Sequence, residues 1–262
     1  MKSHPVHRSI LAVDMEKSTS PLRTNPIKEE LRRLLYCLLE GAMASAGIQE
    51  SHCDPFEDRG DGVLALIHPA DEIPKTLLFN PLVPVLSQML SDYNLSLPEP
   101  ERARRGLRLR VVVHAGEIHR DRNGYFGEEL DVACRLLDSQ RLKKCLRQVP
   151  GPLVLVASED LYWSIVRHQY DGIYHETFRP AIRIQVAGRR RRGWVHVPPA
   201  YGSLESADTD GAALTAAAGA LTAGASVLTA DEGALSTGTG APVAGTGAVA
   251  ALRRVAAGRA AA

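Results

Sequence analysis

The stretch Glu57-Asp58-Arg59-Gly60-Asp61-Gly62-Val63-Leu64-Ala65-Leu66-Ile67 decides the fold. An acidic, glycine-flanked turn runs directly into an unbroken apolar run. That is the pattern of a tight turn feeding a buried strand with a carboxylate at its mouth. Glycines on both sides of Asp61 permit a sharp bend and the close approach of a ligand. A second stretch of the same kind lies upstream, where Ser9-Ile10-Leu11-Ala12-Val13 ends in Asp14 and is followed by Met15-Glu16-Lys17-Ser18-Thr19. Taken singly, each aspartate reads as an ordinary turn carboxylate. Taken together, two strands each ending in one aspartate can place both carboxylates on a pair of hard divalent cations.

Outward from the turn, residues 48–56 are expected as a weaker strand that forms a hairpin with 63–67. Residues 26–46 carry Leu31, Leu34, Leu35, Leu38, Leu39 and Met43 at helical spacing, and Gly47 is a natural stop. A second helix is expected over 74–94, irregular at Pro81 and Pro84, and a charged loop over 95–106. Residues 107–114 alternate as a strand with one face better buried than the other. The strand continues to a turn at Asp121-Arg122-Asn123-Gly124. A helix is expected over 125–137, continued by 142–146, then a strand over 153–157 and a helix over 159–168 capped by Ser158. A closing hairpin over 178–186 and 193–197 is expected to join through Arg189-Arg190-Arg191-Arg192. This order makes an α+β protein: a mainly antiparallel sheet flanked by helices on one or both faces.

Composition narrows the function. The 262 residues carry a formal net charge of +1. From Gly202 onward the chain is nearly all Ala, Gly, Thr and Val, with five acidic and three basic residues, which leaves +3 for the part before it. Neither part is basic enough to argue for nucleic acid. The folded domain is expected over residues 5–200. The Ala/Gly/Thr-rich tail, 201–262, has too little bulky apolar surface to offset chain entropy and is expected to be disordered. The four cysteines lack CxxC spacing, and Cys37 and Cys134 read as small core residues. No secretory leader pattern is evident and no apolar run approaches the ~20 residues that span a bilayer. A cytoplasmic protein without membrane partners is the expectation.

A third patch, Asn123-Gly124-Tyr125-Phe126-Gly127-Glu128-Glu129-Leu130-Asp131-Val132-Ala133-Cys134-Arg135, puts Asp131 and Arg135 on one helix face. They read either as an i,i+4 ion pair on a solvated face or as an arginine aimed at a phosphate that gains charge in a transition state. Ser18 and Thr19 lie where backbone N–H groups can meet phosphates. His114 and His119 have no partner at metal-ligand spacing, and His114 reads as a packed strand residue.

Three segments in this order resemble the class III nucleotidyl cyclase domain of adenylate and guanylate cyclases, particularly its short stand-alone bacterial, actinobacterial-type members. They are residues 9–19, residues 59–65, and His114-Ala115-Gly116-Glu117 running into Gly124-Tyr125-Phe126-Gly127 and Ala133-Cys134-Arg135-Leu136. The resemblance implies a ferredoxin-like core and a head-to-tail homodimer with shared active sites. It implies that Asp14, Asp61 and the backbone carbonyl of Met15 hold two Mg2+ or Mn2+ ions. It implies that Arg135 stabilises the transition state of a nucleoside triphosphate closing to a 3',5'-cyclic nucleotide with release of pyrophosphate. Glu57 matches the base-selecting position, where a carboxylate suits guanine. Three departures stand out. The family's ribose-positioning asparagine is Asp131, which cannot donate as an amide does. The second base-selecting position is Gly124, without a side chain. The lysine expected on the terminal phosphates falls near Ala187, with Arg183, Arg189 and Arg190 the nearest cations. A rival reading of another class therefore stands beside the enzyme: a cyclase-fold module that binds nucleotide or a partner protein without turnover.

Overall fold

The computed structural model describes residues 4–199; the expected tail at 201–262 lies outside them. The first strand, β1 (Val6–Met15), leads into α1 (Asn25–Ser45), and β2 (Glu57–Asp58) and β3 (Gly62–Ile67) follow. Next come α2 (Leu82–Ser96), α3 (Glu99–Arg105), the long β4 (Leu109–Asp121) and the short β5 (Gly124–Phe126). The chain closes with α4 (Glu128–Leu137), α5 (Gln140–Gln148), β6 (Leu153–Ser158), α6 (Glu159–Ser164), β7 (Arg179–Val186) and β8 (Arg189–His196). The strands form an eight-stranded sheet ordered β2-β3-β1-β4-β6-β8-β7, with β5 paired to β4 alone. Only β4 and β6 run parallel, joined by the α4–α5 crossover; every other pair is antiparallel.

Both faces of the sheet are covered, so its central strands are apolar on both sides rather than alternating. On one face Ile10, Ala12, Leu64, Leu66, Val112, Val154 and Val156 pack with Leu130, Ala133 and Leu136 of α4 and with Leu142 and Leu146 of α5. The alternate residues Leu11, Val13, Val63, Ala65, Val111, Val113 and Leu155 are equally buried. They point to the opposite face, where α1 and α2 turn inward Leu31, Leu34, Leu38, Leu86 and Leu90.

Several sequence expectations are corrected. Residues 48–56 are not a strand: a 3-10 turn occupies Glu50–His52, and only Cys53 bridges to Ile67. The charged segment 95–106 contains α3, whose prolines sit at its entry, where they break no helical bond. Residues 107–114 are not one-faced: Arg110 and His114 are buried along with the apolar residues of the strand. Residues 124–126 are strand, so the helix starts at Glu128. Arg189–Arg192 lie within β8, and the hairpin turns at Ala187-Gly188 instead. Ser158 stands at the entry of α6 but makes no side-chain cap; its hydroxyl is engaged elsewhere, as shown below. Cys134 is exposed and Cys37 only half-buried, so neither is a core residue.

Candidate active site

Register brings the two aspartates together. Asp14 pairs across the sheet with Gly62, which places Asp61 beside the end of β1. The Met15 N–H donates to the Asp61 carbonyl over 3.0 Å, closing the mouth. Gly62 is required here: a side chain on it would run into the Val13 carbonyl. Gly60 turns the chain at φ +80°, a conformation that glycine adopts freely. Arg32 of α1 braces the turn by donating to the Asp58 carboxylate and the Gly60 carbonyl. That ion pair holds the Asp58 carboxyl down at about 2.

The two carboxylates differ in setting. The Asp61 carboxylate accepts a hydrogen bond from the Ser18 hydroxyl. Asp14 faces Arg110, its register partner on β4, in an ion pair. Burial pushes the Asp14 carboxyl upward, opposed by that arginine. Its Oδ1 is buried with no hydrogen-bond partner among the described residues. An orphaned carboxylate oxygen beside a second carboxylate suits a hard cation. The pair therefore fits the divalent ions that the fold implies. Arg110 is the residue that sequence reading missed. Its role shows only in the register, which sets Arg110 of β4 directly across from Asp14.

Two clefts flank Asp61. One, of about 190 Å3, is lined by Asp14, Arg59, Asp61, Cys134, Leu137 and Asp138 among others. The other, of about 330 Å3, is lined by Met15, Ser18, Thr19, Lys28, Arg32 and Asp61 among others. Ser18, Thr19 and Met15 thus lie together on the cleft beside Asp61. Lys28 was not foreseen.

Asp131 and Arg135 are exposed on the outer face of α4. The i,i+4 ion pair does not form: neither side chain has a hydrogen bond or ion pair among the described residues. Neither lines the clefts beside Asp61 within one chain. Glu57 and Gly124 do meet. A Cβ on Gly124 would lie 3.2 Å from the Glu57 carboxylate. Arg59 is the other group near that carboxylate, at 3.6 Å.

Behind α4 lies a buried polar network. His114 is fully buried; its Nδ1 is 2.8 Å from the Ser158 hydroxyl and its Nε2 is 2.7 Å from Glu129 of α4. The bond to His114 lowers the Glu129 carboxyl. A side chain at Gly116 would collide with that of Glu129. Arg191 of β8 stands 3.6 Å from Glu128, 3.5 Å from Glu129 and 3.4 Å from Asp160. His114, Glu129 and Asp160 each offer one ligand atom, all within 4.8 Å of one another. The Arg191 guanidinium already neutralises the two carboxylates, however, and both imidazole nitrogens are committed. This cluster is a pin between helix and sheet rather than a metal site.

No family model matches the chain, and no curated protein sequence matches it. Solved structures do. An adenylate/guanylate cyclase/hydrolase from Silicibacter pomeroyi is 20% identical with a TM-score of 0.52, over 76% of this chain and 100% of that one. A bacterial light-regulated adenylyl cyclase is 13% identical with a TM-score of 0.51, over 74% of this chain and 52% of that one. Among the described residues no helix is long and apolar enough to cross a membrane. The mixed sheet, its flanking helices and these likenesses establish that the chain has the α+β fold of the class III nucleotidyl cyclase domain.

Proposed function

We propose that the protein is a nucleotidyl cyclase that closes a nucleoside triphosphate to a 3',5'-cyclic nucleotide and releases pyrophosphate. One observation carries this reading: Asp14 and Asp61 converge at the mouth of two antiparallel strands, with a buried carboxylate oxygen left unpaired between them. Asp14, Asp61 and the Met15 carbonyl would hold two Mg2+ or Mn2+ ions. Ions bound there would activate the ribose 3'-hydroxyl and neutralise the phosphates. Burial raises the Asp14 carboxyl and the Arg110 guanidinium opposes that rise, so the arginine favours the charged form that a cation needs. Ser18 orients Asp61, and the backbone of Ser18 and Thr19 receives phosphate oxygens. Arg135 would donate to the α-phosphate oxygens as charge builds on them. Because Asp131 and Arg135 are exposed and do not line the clefts beside their own chain's aspartates, they would serve the site of a second copy in a head-to-tail homodimer. Glu57 accepts from the base. Gly124 has no side chain and the Glu57 carboxylate lies against it, so one side chain rather than two reads the base.

The rival reading, a cyclase-fold module that binds nucleotide without turnover, is favoured by Asp131, which offers the ribose no donor and sets negative charge near a triphosphate. The two are separated by incubating the full chain with each of the four ribonucleoside triphosphates and Mn2+ and resolving the products by mass. A cyclic monophosphate from at least one is expected. Tight nucleotide binding with no cyclic product from any of the four would establish the rival.

A further inference from the structure

We infer that the terminal phosphates of the substrate are gripped by Lys28 of α1, in the same subunit that supplies Asp14 and Asp61. The inference rests on the cyclase reading above and deepens it. Sequence reading leaves the terminal phosphates without a lysine, because the expected position falls at Ala187. The structure places Ala187 in the β7–β8 turn at φ +46°. That hairpin lies at the sheet edge opposite β2 and β3, so Arg183, Arg189 and Arg190 are distant from Asp61 of their own chain. Arg191 is committed to Glu128, Glu129 and Asp160.

The cleft of about 330 Å3 beside Asp61 offers a cation instead. Three basic side chains line it, and two are already engaged. Arg23 is buried and donates to the carbonyls of Glu16 and Gly106. Arg32 is bound to Asp58 and the Gly60 carbonyl. Lys28 is half-buried, and its side chain has no ion pair or hydrogen bond among the described residues. It lies one helical turn before Arg32, with Leu31 between them on the same face. Like charges at that spacing repel unless an anion sits between them.

The opposite wall of the cleft is the turn after β1. Lys17 adopts φ +59° there, and its carbonyl accepts from the Ser20 N–H. The N–H groups of Ser18 and Thr19 meet no protein acceptor among the described residues. Consecutive N–H groups released by a left-handed residue form an anion-binding concavity. A cleft with free backbone donors on one wall, an unengaged ammonium on the other and a carboxylate suited to a divalent ion at its edge fits the β- and γ-phosphates of a metal-bound triphosphate. The site is therefore divided differently from the pattern the family resemblance implies. The triphosphate grip then lies in the subunit that supplies Asp14 and Asp61, and the second subunit contributes the α4 face.

The test is calorimetric titration of the full chain with inorganic tripolyphosphate in the presence of Mn2+, a probe with neither base nor ribose. Lys28→Ala is expected to weaken binding about tenfold or more, the scale of one lost charge-assisted contact. Lys28→Arg should recover most of the loss. Lys144→Ala, the same charge change on an exposed face of α5, should leave binding within about twofold. In turnover, Lys28→Ala should raise KM far more than it lowers kcat. Unchanged tripolyphosphate affinity in Lys28→Ala, or a loss seen only in Arg189→Ala/Arg190→Ala, would overturn the assignment and leave the cyclase reading standing. Lysine-dependent tripolyphosphate binding without cyclic product from any nucleotide would sustain the assignment and overturn the cyclase reading instead.

Discussion

The end of the site at the β1–β3 mouth and the end on α4 are built in opposite ways. At the mouth, each aspartate is anchored within its own chain: Asp14 by Arg110, Asp61 by Ser18, and the turn between them by Arg32. On α4, Asp131 and Arg135 project from the exposed face without a polar partner, while the buried face of the same helix is pinned through Glu129 to His114. One end is preorganised by its own subunit. The other is a rigid platform whose polar groups are left for something that arrives. A helix fixed behind and bare in front is what the proposed shared active site would require, since flexible side chains on a loosely held helix could not meet a transition state at defined distance.

The sharpest way to break this comparison is at the anchored end. Asp61→Ala removes one of the two carboxylates and the acceptor of Ser18. Turnover is expected to fall by about a thousandfold or more, measured as cyclic product with Mn2+, while the urea midpoint moves little because Asp61 is only half-buried. If activity survives, the mouth of β1 and β3 is not where the chemistry occurs, and the contrast between the two ends loses its meaning.

The anchored end was largely legible in the sequence, and the platform end was not. Residues 57–67 read correctly because a turn with glycines on both sides of an aspartate, followed by an apolar run, has few other solutions. Asp14 followed from the same pattern. Arg110 escaped because one-faced alternation was expected for residues 107–114. Helices on both faces instead bury the whole strand, and a buried arginine there is readable only once the β1–β4 register pairs it with Asp14. The pin escaped for a related reason. His114, Ser158, Glu129 and Arg191 come from β4, β6, α4 and β8, and no sequence spacing links them. Strand boundaries failed where turn chemistry is local: Ala187-Gly188 makes the last turn, although the arginine run after it looks more like a solvated tip.

The pin offers the next test. His114→Ala would leave the Ser158 hydroxyl and one Glu129 oxygen without their partner and open a void in a fully buried position. A loss of about 2–4 kcal/mol is expected from urea unfolding. At a temperature where the variant remains folded, kcat should fall because α4 is no longer held square to the sheet. Mn2+-tripolyphosphate affinity at the anchored end should persist. If kcat is unchanged, the platform does not depend on its pin.

Either comparison can be read only while the sheet is intact, and His196 sets an acid limit on that. It lies on β8, stacked on Phe178 at 4.6 Å between ring centroids. Burial drives its imidazole down to about 4, opposed by a backbone contact at Thr177. A histidine whose folded pKa is depressed leaves the unfolded chain binding more protons between about 6.5 and about 4. Stability therefore falls as pH drops through that window, by on the order of 3 kcal/mol in all. His196→Phe keeps a ring against Phe178 and should flatten this part of the stability profile. An unaltered slope between pH 6.5 and 4 would place the acid sensitivity elsewhere.

The smallest expected effect is the one most specific to the platform. Asp131 lies in the first turn of α4 with Glu128 and Glu129, so a negative charge there gains a little from the helix dipole. Replacing it with asparagine forfeits a few tenths of a kcal/mol of helix stability at most, because the two glutamates remain. What the change supplies is an NH2 donor that a carboxylate lacks, together with one fewer negative charge facing a triphosphate. If α4 of one subunit meets the ribose bound by its partner, Asp131→Asn should raise kcat about tenfold, the scale of one donor placed in a transition state. Thermal stability should be nearly unchanged. Lower activity would mean that Asp131 does not face the ribose and that the carboxylate itself does work in the assembled site. The exposed face of α4 would then present its groups in a different register from the one that makes Arg135 the cation of the reaction.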